Sequence, residues 1–125
     1  MILGVGIDVV HVDRIRRWSH IDGLYERFFH PEELAIALPR GEVGILSLAA
    51  RFAAKEAFGK AIGSGIRYFA LRDIAVLNDS SGKPFMLLTG GAETAFKDFG
   101  GQRLVCSLSH ERDKALAVVI IEGGQ

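Results

Sequence analysis

The sequence predicts an α+β fold, in which a mixed sheet of about five strands packs on one long central helix and several short helices. Three features predict it. The chain begins with a short, almost continuously apolar segment rich in β-branched residues, as in a buried strand. Residues 45–62 are rich in Ala and Leu and contain no proline, as in a long helix. Two strand-like segments joined by a polar turn end the chain. Its 125 residues have the length of one domain, 1–125.

The first predicted strand covers residues 2–12 and carries a single charge, Asp8. Because side chains alternate along a strand, Asp8 lies on the same face as Gly4 and Gly6. A short helix follows to about residue 19, and Asp13 can cap its first turn.

Later segments alternate between helix and strand. Pro31 suits the first turn of a helix over residues 31–38, which has acidic residues near its positive end. The central helix, residues 45–62, is ended by Gly63 and Gly65. The remaining predicted elements are, in order, a strand near residues 72–77, a turn at 78–82, a strand near 85–89, a helix over 92–99, and strands at 104–109 and 115–122.

Composition excludes several classes of protein. The 15 Lys and Arg residues balance 15 Asp and Glu residues, so no overall field draws the chain to nucleic acid or to a membrane. The longest apolar run, residues 115–121, is far shorter than the roughly 20 residues of a membrane-spanning helix, and Asp8 does not fit a signal peptide. Cys106 stands alone, so no intrachain disulfide forms, and we interpret it as a small core residue. We expect a cytoplasmic protein that buries excess apolar surface by oligomerisation.

Asp8 is the first candidate site residue, because an isolated carboxylate in a buried strand costs several kcal/mol of solvation unless it is paired or binds a cation. One interpretation is a buried ion pair with an arginine. The other is a metal ligand, which the space left by Gly4 and Gly6 on the same face favours. The strand by itself does not decide between them.

Glu56 is the second candidate, as the only acidic residue within 45–62. A Glu56–Lys60 pair one turn apart usually adds a few tenths of a kcal/mol at a surface. Here the surrounding face is largely apolar, which weakens that interpretation. If Asp8 and Glu56 converge, two carboxylates can hold Mg²⁺, with water and phosphate oxygens filling its other positions. Lys60 would then supply a charge for a phosphate group.

Two further segments could contact an anion. The glycines of Gly63-Ser64-Gly65 would let backbone N–H groups approach a phosphate, although glycine after a helix is most often only a C-cap. His110 lies at the end of a predicted strand, where side chains often reach a ligand, although a turn histidine is the commoner case.

Taken in order, three motifs resemble those of the holo-acyl carrier protein synthase family, the small-type 4′-phosphopantetheinyl transferases. They are GVGID at residues 4–8, RFAAKEAFGKA at residues 51–61 and SLSH at residues 107–110. The resemblance covers the whole chain. It implies transfer of the 4′-phosphopantetheine moiety from coenzyme A to a serine of apo acyl carrier protein, with release of adenosine 3′,5′-bisphosphate and a role in fatty acid biosynthesis.

The resemblance also implies roles for individual residues. Asp8 and Glu56 would hold Mg²⁺ on the coenzyme A pyrophosphate, and Lys60 would contact the same phosphates. The coenzyme A pocket would be lined by Arg51, Lys60, Gly63, Ser64, Gly65, Gly82, Lys83, Pro84, Ser109 and His110. The acidic helix of the carrier protein would be bound by Arg14, Arg16, Arg17 and Arg27, which without the family would be interpreted as a solvated helix face. The family further implies a homotrimer with active sites between subunits.

One departure from the family is visible at His30, where many relatives have threonine. We interpret it as a change in helix capping, with the glutamate of the motif kept at Glu33. Two other functions remain open: a coenzyme A or nucleotide-binding module without catalysis, which would not need two converging acids, and a Mg²⁺-dependent phosphohydrolase. No water-activating base for the hydrolase can be identified from the sequence.

Overall fold

A computed structural model describes residues 1–63 and 69–124. The α+β fold with five strands around a long central helix is confirmed. The elements in chain order are β1 (Ile2–His11), α1 (Val12–Trp18), α2 (Leu24–Phe28), α3 (Pro31–Ala37), a 3-10 turn (Leu38–Arg40), α4 (Gly41–Ile62), a second 3-10 turn (Leu71–Asp73), β2 (Ile74–Asn78), β3 (Pro84–Leu88), α5 (Gly90–Asp98), β4 (Gly101–Glu111) and β5 (Lys114–Gly123).

The five strands divide between two sheets, where the sequence analysis expected one mixed sheet. One sheet has the order β1-β5-β4 and the other pairs β2 with β3. Every strand pair in the described residues is antiparallel. For β4 and β5 the antiparallel pairing follows from connection length, because they are joined only by Arg112 and Asp113, and so short a connection permits no other pairing. The β4–β5 hairpin has longer strands and a shorter turn than predicted.

Helix α4 lies against one face of the three-stranded sheet, in contact with the backbone of β1. A Cβ atom added at Gly4 would lie 2.0 Å from the carbonyl oxygen of Ala61, and one added at Gly6 would lie 1.9 Å from that of Ala57. Glycine on the strand and alanine on the helix thus allow a close approach that no larger side chains permit. The inner face of β5 is fully buried against the helix.

Three helices begin earlier than the sequence indicated. Helix α5 starts at Gly90, two residues before its predicted start. Helix α4 starts at Gly41, and Gly44 packs directly on the backbone of Ala37 in α3. Helix α1 starts at Val12, and the predicted cap at Asp13 is wrong, since no side chain caps this helix. Instead, the Val12 N–H donates to the carbonyl oxygen of Asp113 at 2.8 Å, so the β4–β5 turn satisfies the first N–H group of the helix.

Helix α3 is capped as expected from the sequence. His30 Nδ1 accepts a hydrogen bond from the Glu32 N–H at 3.0 Å, and Glu33 Oε1 accepts one from the His30 N–H at 2.9 Å. Histidine therefore takes the place of the usual hydroxyl or carboxylate cap in a reciprocal capping box. The prediction that His30 takes part in capping this helix is confirmed.

The outer face of the three-stranded sheet is apolar and uncovered in a single chain. Val5, Ile7 and Val9 of β1 are 57%, 55% and 52% exposed, and Leu116 of β5 continues the face. Cys106 lies on the opposite, inner face and packs against the core, as predicted. None of the helices in the described residues has the length and apolar character needed to cross a membrane.

Candidate active site

Asp8 points toward α4, on the same face of β1 as Gly4 and Gly6. Lys60 Nζ donates to Asp8 Oδ1 at 2.9 Å and to the Ile7 carbonyl oxygen at 3.2 Å. Within residues 1–63 and 69–124, the partner of the Asp8 carboxylate is thus a lysine of the long helix, where the sequence analysis considered an arginine. The Asp8 side chain is only 16% exposed, whereas that of Lys60 is 57% exposed, so the pair lies at the mouth of the β1–α4 contact.

Glu56 lies along the same contact. Strand β1 passes Ala61 at Gly4 and Ala57 at Gly6, so strand and helix run in opposite directions. Two residues of a strand and four residues of a helix advance by about the same distance. Asp8, two residues after Gly6, therefore lies at the level of the helical turn that precedes Ala57. Glu56 is half-buried and lies one turn before Lys60, on the same side of α4. Side chains of a helix lean toward its N-terminus, so that of Glu56 leans toward the level of Asp8.

This donor set fits Mg²⁺ bound by few protein ligands. Mg²⁺ usually takes one or two carboxylates and fills its other positions with water and substrate phosphate oxygens. No cluster of three or more His, Cys, Asp and Glu side chains able to hold an ion occurs within residues 1–63 and 69–124. A closed protein cage is therefore absent there, whereas the carboxylates of Asp8 and Glu56 are two ligands of the kind that Mg²⁺ takes.

Arg51 is anchored on the side of α4 that lies away from Glu56 and Lys60. Its Nε donates to the Val76 carbonyl oxygen at 2.9 Å, Nη2 donates to Asn78 Oδ1 at 2.8 Å, and Nη1 donates to Ser47 Oγ. Burial lowers the pKa of Arg51 from its ordinary value, while nearby Glu33 raises it. The guanidinium is therefore held rigidly in one orientation by α4 and β2.

A cavity of about 220 Å³ adjoins the Arg51 guanidinium. Arg51 and His110, both predicted to bind coenzyme A, lie in its wall. The sequence analysis missed Arg40 and Ser47. The sequence does contain a signal for both residues, because Arg40 directly precedes α4 and Ser47 lies one turn before Arg51. The complete lining is Arg40, Val43, Leu46, Ser47, Ala50, Arg51, Leu108 and His110.

The turn before β3 lies close to this cavity. Asn78, which holds Arg51, donates from Nδ2 to the Gly82 carbonyl oxygen at 2.9 Å. Burial raises the pKa of the Cys106 thiol on β4, and the charges of Arg51 and Lys83 oppose that rise. Both cations therefore lie within electrostatic range of the same strand.

Other predicted coenzyme A residues are placed differently. Ser109 faces the outer side of the sheet opposite Leu116, whereas His110 faces the inner side opposite Ala115. Gly63 ends α4 in the left-handed region at φ 80°, as predicted. Ser64 and Gly65 lie outside the described residues.

The predicted carrier-binding arginines have different surroundings. Arg16 bonds to Asp13 and Glu42, so it connects α1 with the start of α4. The Arg14 guanidinium lies 5.2 Å from the centre of the Trp18 ring and 5.3 Å from that of Phe52. The remaining two, Arg17 and Arg27, are exposed, and Arg27 lies over the ring of Phe28 at 5.6 Å.

Comparisons with known proteins agree with these motifs. The sequence model of the 4′-phosphopantetheinyl transferase superfamily matches residues 4–119. A holo-[acyl-carrier-protein] synthase of Treponema denticola is 53% identical over 98% of this chain and 100% of its own length. The Treponema pallidum protein of the same name is 46% identical, over 98% of each chain.

Solved structures extend the similarity to the fold. A Neisseria meningitidis holo-[acyl-carrier-protein] synthase is 38% identical, with a TM-score of 0.86 over 98% of this chain and 99% of its own. A Bacillus anthracis holo-(acyl-carrier-protein) synthase, solved in complex with CoA (3′,5′-ADP), is 33% identical with a TM-score of 0.81 over 99% of each chain. Similarity over nearly the full length, in sequence and in fold, shows that this chain belongs to the holo-[acyl-carrier-protein] synthases, enzymes of the 4′-phosphopantetheinyl transferase superfamily.

Proposed function

We propose that this protein is a cytoplasmic, Mg²⁺-dependent enzyme that transfers 4′-phosphopantetheine from coenzyme A to a serine of apo acyl carrier protein in fatty acid biosynthesis. The observation that carries the proposal is the Asp8–Lys60 pair on the β1–α4 contact, with Glu56 one turn before Lys60. Similar proteins of Bacillus anthracis and Helicobacter pylori have been solved with coenzyme A or its nucleotide portion, which supports coenzyme A as the donor substrate.

In the reaction, the serine oxygen forms a bond to the phosphorus that carries pantetheine, and the bond from that phosphorus to adenosine 3′,5′-bisphosphate breaks. Asp8 and Glu56 would hold Mg²⁺, which when bound neutralises charge on the pyrophosphate. The exposed ammonium of Lys60 reaches beyond Asp8 and stabilises phosphate oxygens. The serine proton passes to a carboxylate or a water molecule beside Asp8.

The cationic cavity suits the nucleotide end of coenzyme A. Arg40, Arg51 and His110 border it together. Their N–H groups are the kind of donors that a phosphate group on the nucleotide requires. Arginine has five N–H donors, so the bonds to Val76, Ser47 and Asn78 leave Arg51 at least one for a ligand. Lys83 and Pro84 belong to the same proposed pocket, whereas the side chain of Ser109 is directed to the other side of β4 from His110.

We propose a homotrimer with active sites between subunits. Arg51 and Glu56 are five residues apart on α4, which separates their directions by about 140° around the helix axis. Lys60 reaches the β1 edge of the sheet, whereas the cavity is bounded by Leu108 and His110 of β4 at the other edge. One chain therefore presents the metal residues and the coenzyme A cavity on different sides. A second copy of the chain can bring its cavity next to the metal residues of the first. The uncovered apolar face around Val5 and Ile7 offers the surface to bury.

The arginines of α1 and α2 support an acidic carrier as the second substrate. The rings of Trp18, Phe28 and Phe52 hold Arg14 and Arg27 at the surface, and Arg17 is exposed beside them. Acidic side chains on a partner helix would be attracted to this patch. Arg16 remains in the proposed set, although Asp13 and Glu42 already occupy its guanidinium.

Intact mass spectrometry of an apo acyl carrier protein, incubated with this protein, coenzyme A and Mg²⁺, tests the proposal. We expect the carrier to gain the mass of one phosphopantetheine, and the gain to disappear with EDTA. Tight coenzyme A binding without any gain, across several carriers, would instead indicate a binding module. Consumption of coenzyme A without a carrier would indicate a phosphohydrolase.

A further inference from the structure

A fully buried ion pair lies under α4, one residue before Glu56. Lys55 Nζ is 2.5 Å from Glu33 Oε1, and both side chains are 0% exposed. Removing two charges from water costs several kcal/mol per ion, and buried pairs are therefore weak evidence of net stabilisation. The neighbouring bonds point instead to a role in fixing geometry.

Lys55 uses all three of its donors inside the protein. Besides Glu33, its Nζ donates to the Phe28 carbonyl oxygen at 2.9 Å and to the Leu71 carbonyl oxygen at 3.1 Å. Phe28 ends α2, and Leu71 begins the 3-10 turn before β2. One side chain of α4 thus holds three separate segments, and an ammonium group has no further N–H to offer a ligand.

Glu33 extends the network to β2. Its Oε2 accepts a hydrogen bond from the Val76 N–H at 2.9 Å, while the Val76 carbonyl oxygen accepts one from Arg51 Nε at 2.9 Å. Arg51 lies one turn before Lys55 on α4. Both polar groups of a single β2 residue are therefore held, one from α3 and one from α4.

Burial lowers the pKa of Lys55 from its ordinary value, and the Glu33 carboxylate opposes that change. The Glu33 carboxylate is thus the acidic partner of the Lys55 ammonium within the buried network. Each α-helical residue turns about 100° from the one before it, so fixing the direction of Lys55 also fixes that of Glu56. The same holds for Arg51 one turn earlier.

We propose that Glu33 and Lys55 are positioning residues that hold α4 in the rotation at which Glu56 faces the Asp8 contact and Arg51 faces the cavity. The inference rests on the proposed function, since it assigns the pair to the metal and coenzyme A residues of that site. Neither side chain touches a substrate, because both are fully buried.

The test replaces each partner by glutamine, which keeps most of the volume and removes the charge. Mn²⁺ binding in the presence of coenzyme A is measured by electron paramagnetic resonance, and kcat and KM are measured per folded molecule. We expect Glu33→Gln and Lys55→Gln to weaken Mn²⁺ binding about tenfold and to lower kcat more than they raise KM for the carrier. Loss of groups that orient metal ligands typically costs about 10–100-fold in metal affinity or activity.

Ile121→Val is the matched control, because it removes one buried methylene from β5, outside the network, and lowers stability alone. Its Mn²⁺ affinity and kcat per folded molecule should equal those of the parent protein. If Lys55→Gln fails to fold, Glu33→Gln still decides the question, since glutamine keeps an acceptor for Lys55. Parental Mn²⁺ affinity and kcat in the folded glutamine variants would overturn the inference. A parent protein that binds Mn²⁺ but transfers no phosphopantetheine would refute the proposed function, and the Mn²⁺ affinities would still decide the positioning role.

Discussion

The Asp8 carboxylate is the only charge in an otherwise apolar strand, and its contact with Lys60 shows how the site tolerates it. A carboxylate that stays partly exposed beside an exposed ammonium loses less solvation than a fully buried one. The pair therefore places negative charge where a divalent ion and a phosphate can reach it. At the scale of single residues, the proposed chemistry depends on this contact and on Glu56.

Asp8→Asn and Glu56→Gln should each lower the rate of carrier modification by about a hundredfold or more, because each removes a charge that a bound cation requires. Both replacements keep the side-chain volume, so the circular dichroism spectrum should match that of the parent. Asp22→Asn, at an exposed position away from the contact, is the control and should keep full activity. If both site variants lost their folded spectrum, the two carboxylates would be structural.

Contacts between elements explain the small residues of β1 and α4. Their backbones approach so closely at Gly4 and Gly6 that a methyl group at either position would overlap a helix carbonyl. The same approach brings Asp8 and Lys60 together, so packing and site geometry have one cause. Helix α1, which follows β1 directly, carries the arginines on the surface beside this contact.

Gly6→Ala should lower the free energy of unfolding by about 1–3 kcal/mol, the usual cost of overpacking a core. Its added Cβ would lie 1.9 Å from the Ala57 carbonyl oxygen, and backbone must move to accept it. Gly23→Ala is the comparison, because its Cβ meets no atom within 4 Å and only its left-handed φ of 76° is penalised. Urea unfolding measures both. A smaller loss in Gly6→Ala than in Gly23→Ala would contradict the close-contact interpretation.

Carrier modification should weaken with salt if the arginines of α1 bind an acidic partner. Raising the ionic strength shortens the range of exposed charges, so kcat/KM for the carrier should fall. Arg17→Ala should raise KM for the carrier severalfold and reduce this salt dependence. Arg16→Ala should affect KM less, because Asp13 and Glu42 already occupy that guanidinium. A rate that is indifferent to salt would argue against electrostatic docking.

On the scale of the whole molecule, a single chain keeps apart the two groups of residues that the proposed reaction needs together. The Asp8–Lys60 pair and the Arg51–His110 cavity lie toward opposite edges of the three-stranded sheet. The outer face of that sheet is apolar and uncovered. The proposed association of identical chains would account for both features.

Val5→Lys, on the outer face, should dissociate the oligomer and reduce activity strongly, because burying a lysine charge in an interface is costly. Light scattering after size exclusion measures the assembly, and circular dichroism checks the fold. Ile36→Lys introduces the same charge at an exposed apolar residue of α3 and should leave the assembly unchanged. A Val5→Lys protein with the parental molar mass would place the interface elsewhere.

Local patterns determined most of the element types. The first strand, the long helix, the Gly63 cap and the His30 cap follow from side-chain chemistry within a few residues, which is what sequence patterns record. Element ends were less predictable, since α1 begins without a side-chain cap where Asp113 supplies an acceptor from the far end of the chain. A distant partner leaves no local signal.

The candidate site divides in the same way. The sequence by itself determined that Asp8 and Glu56 are out of place in apolar surroundings, because an acidic residue within an apolar strand or helix segment is visible in the order of residues alone. Only the tertiary structure decided that Lys60 is the partner of Asp8, that Arg40 joins Arg51 and His110, and that Lys55 pairs with Glu33. These contacts join residues 11 to 70 positions apart, and their formation depends on how α4 packs against the sheets rather than on neighbouring residues.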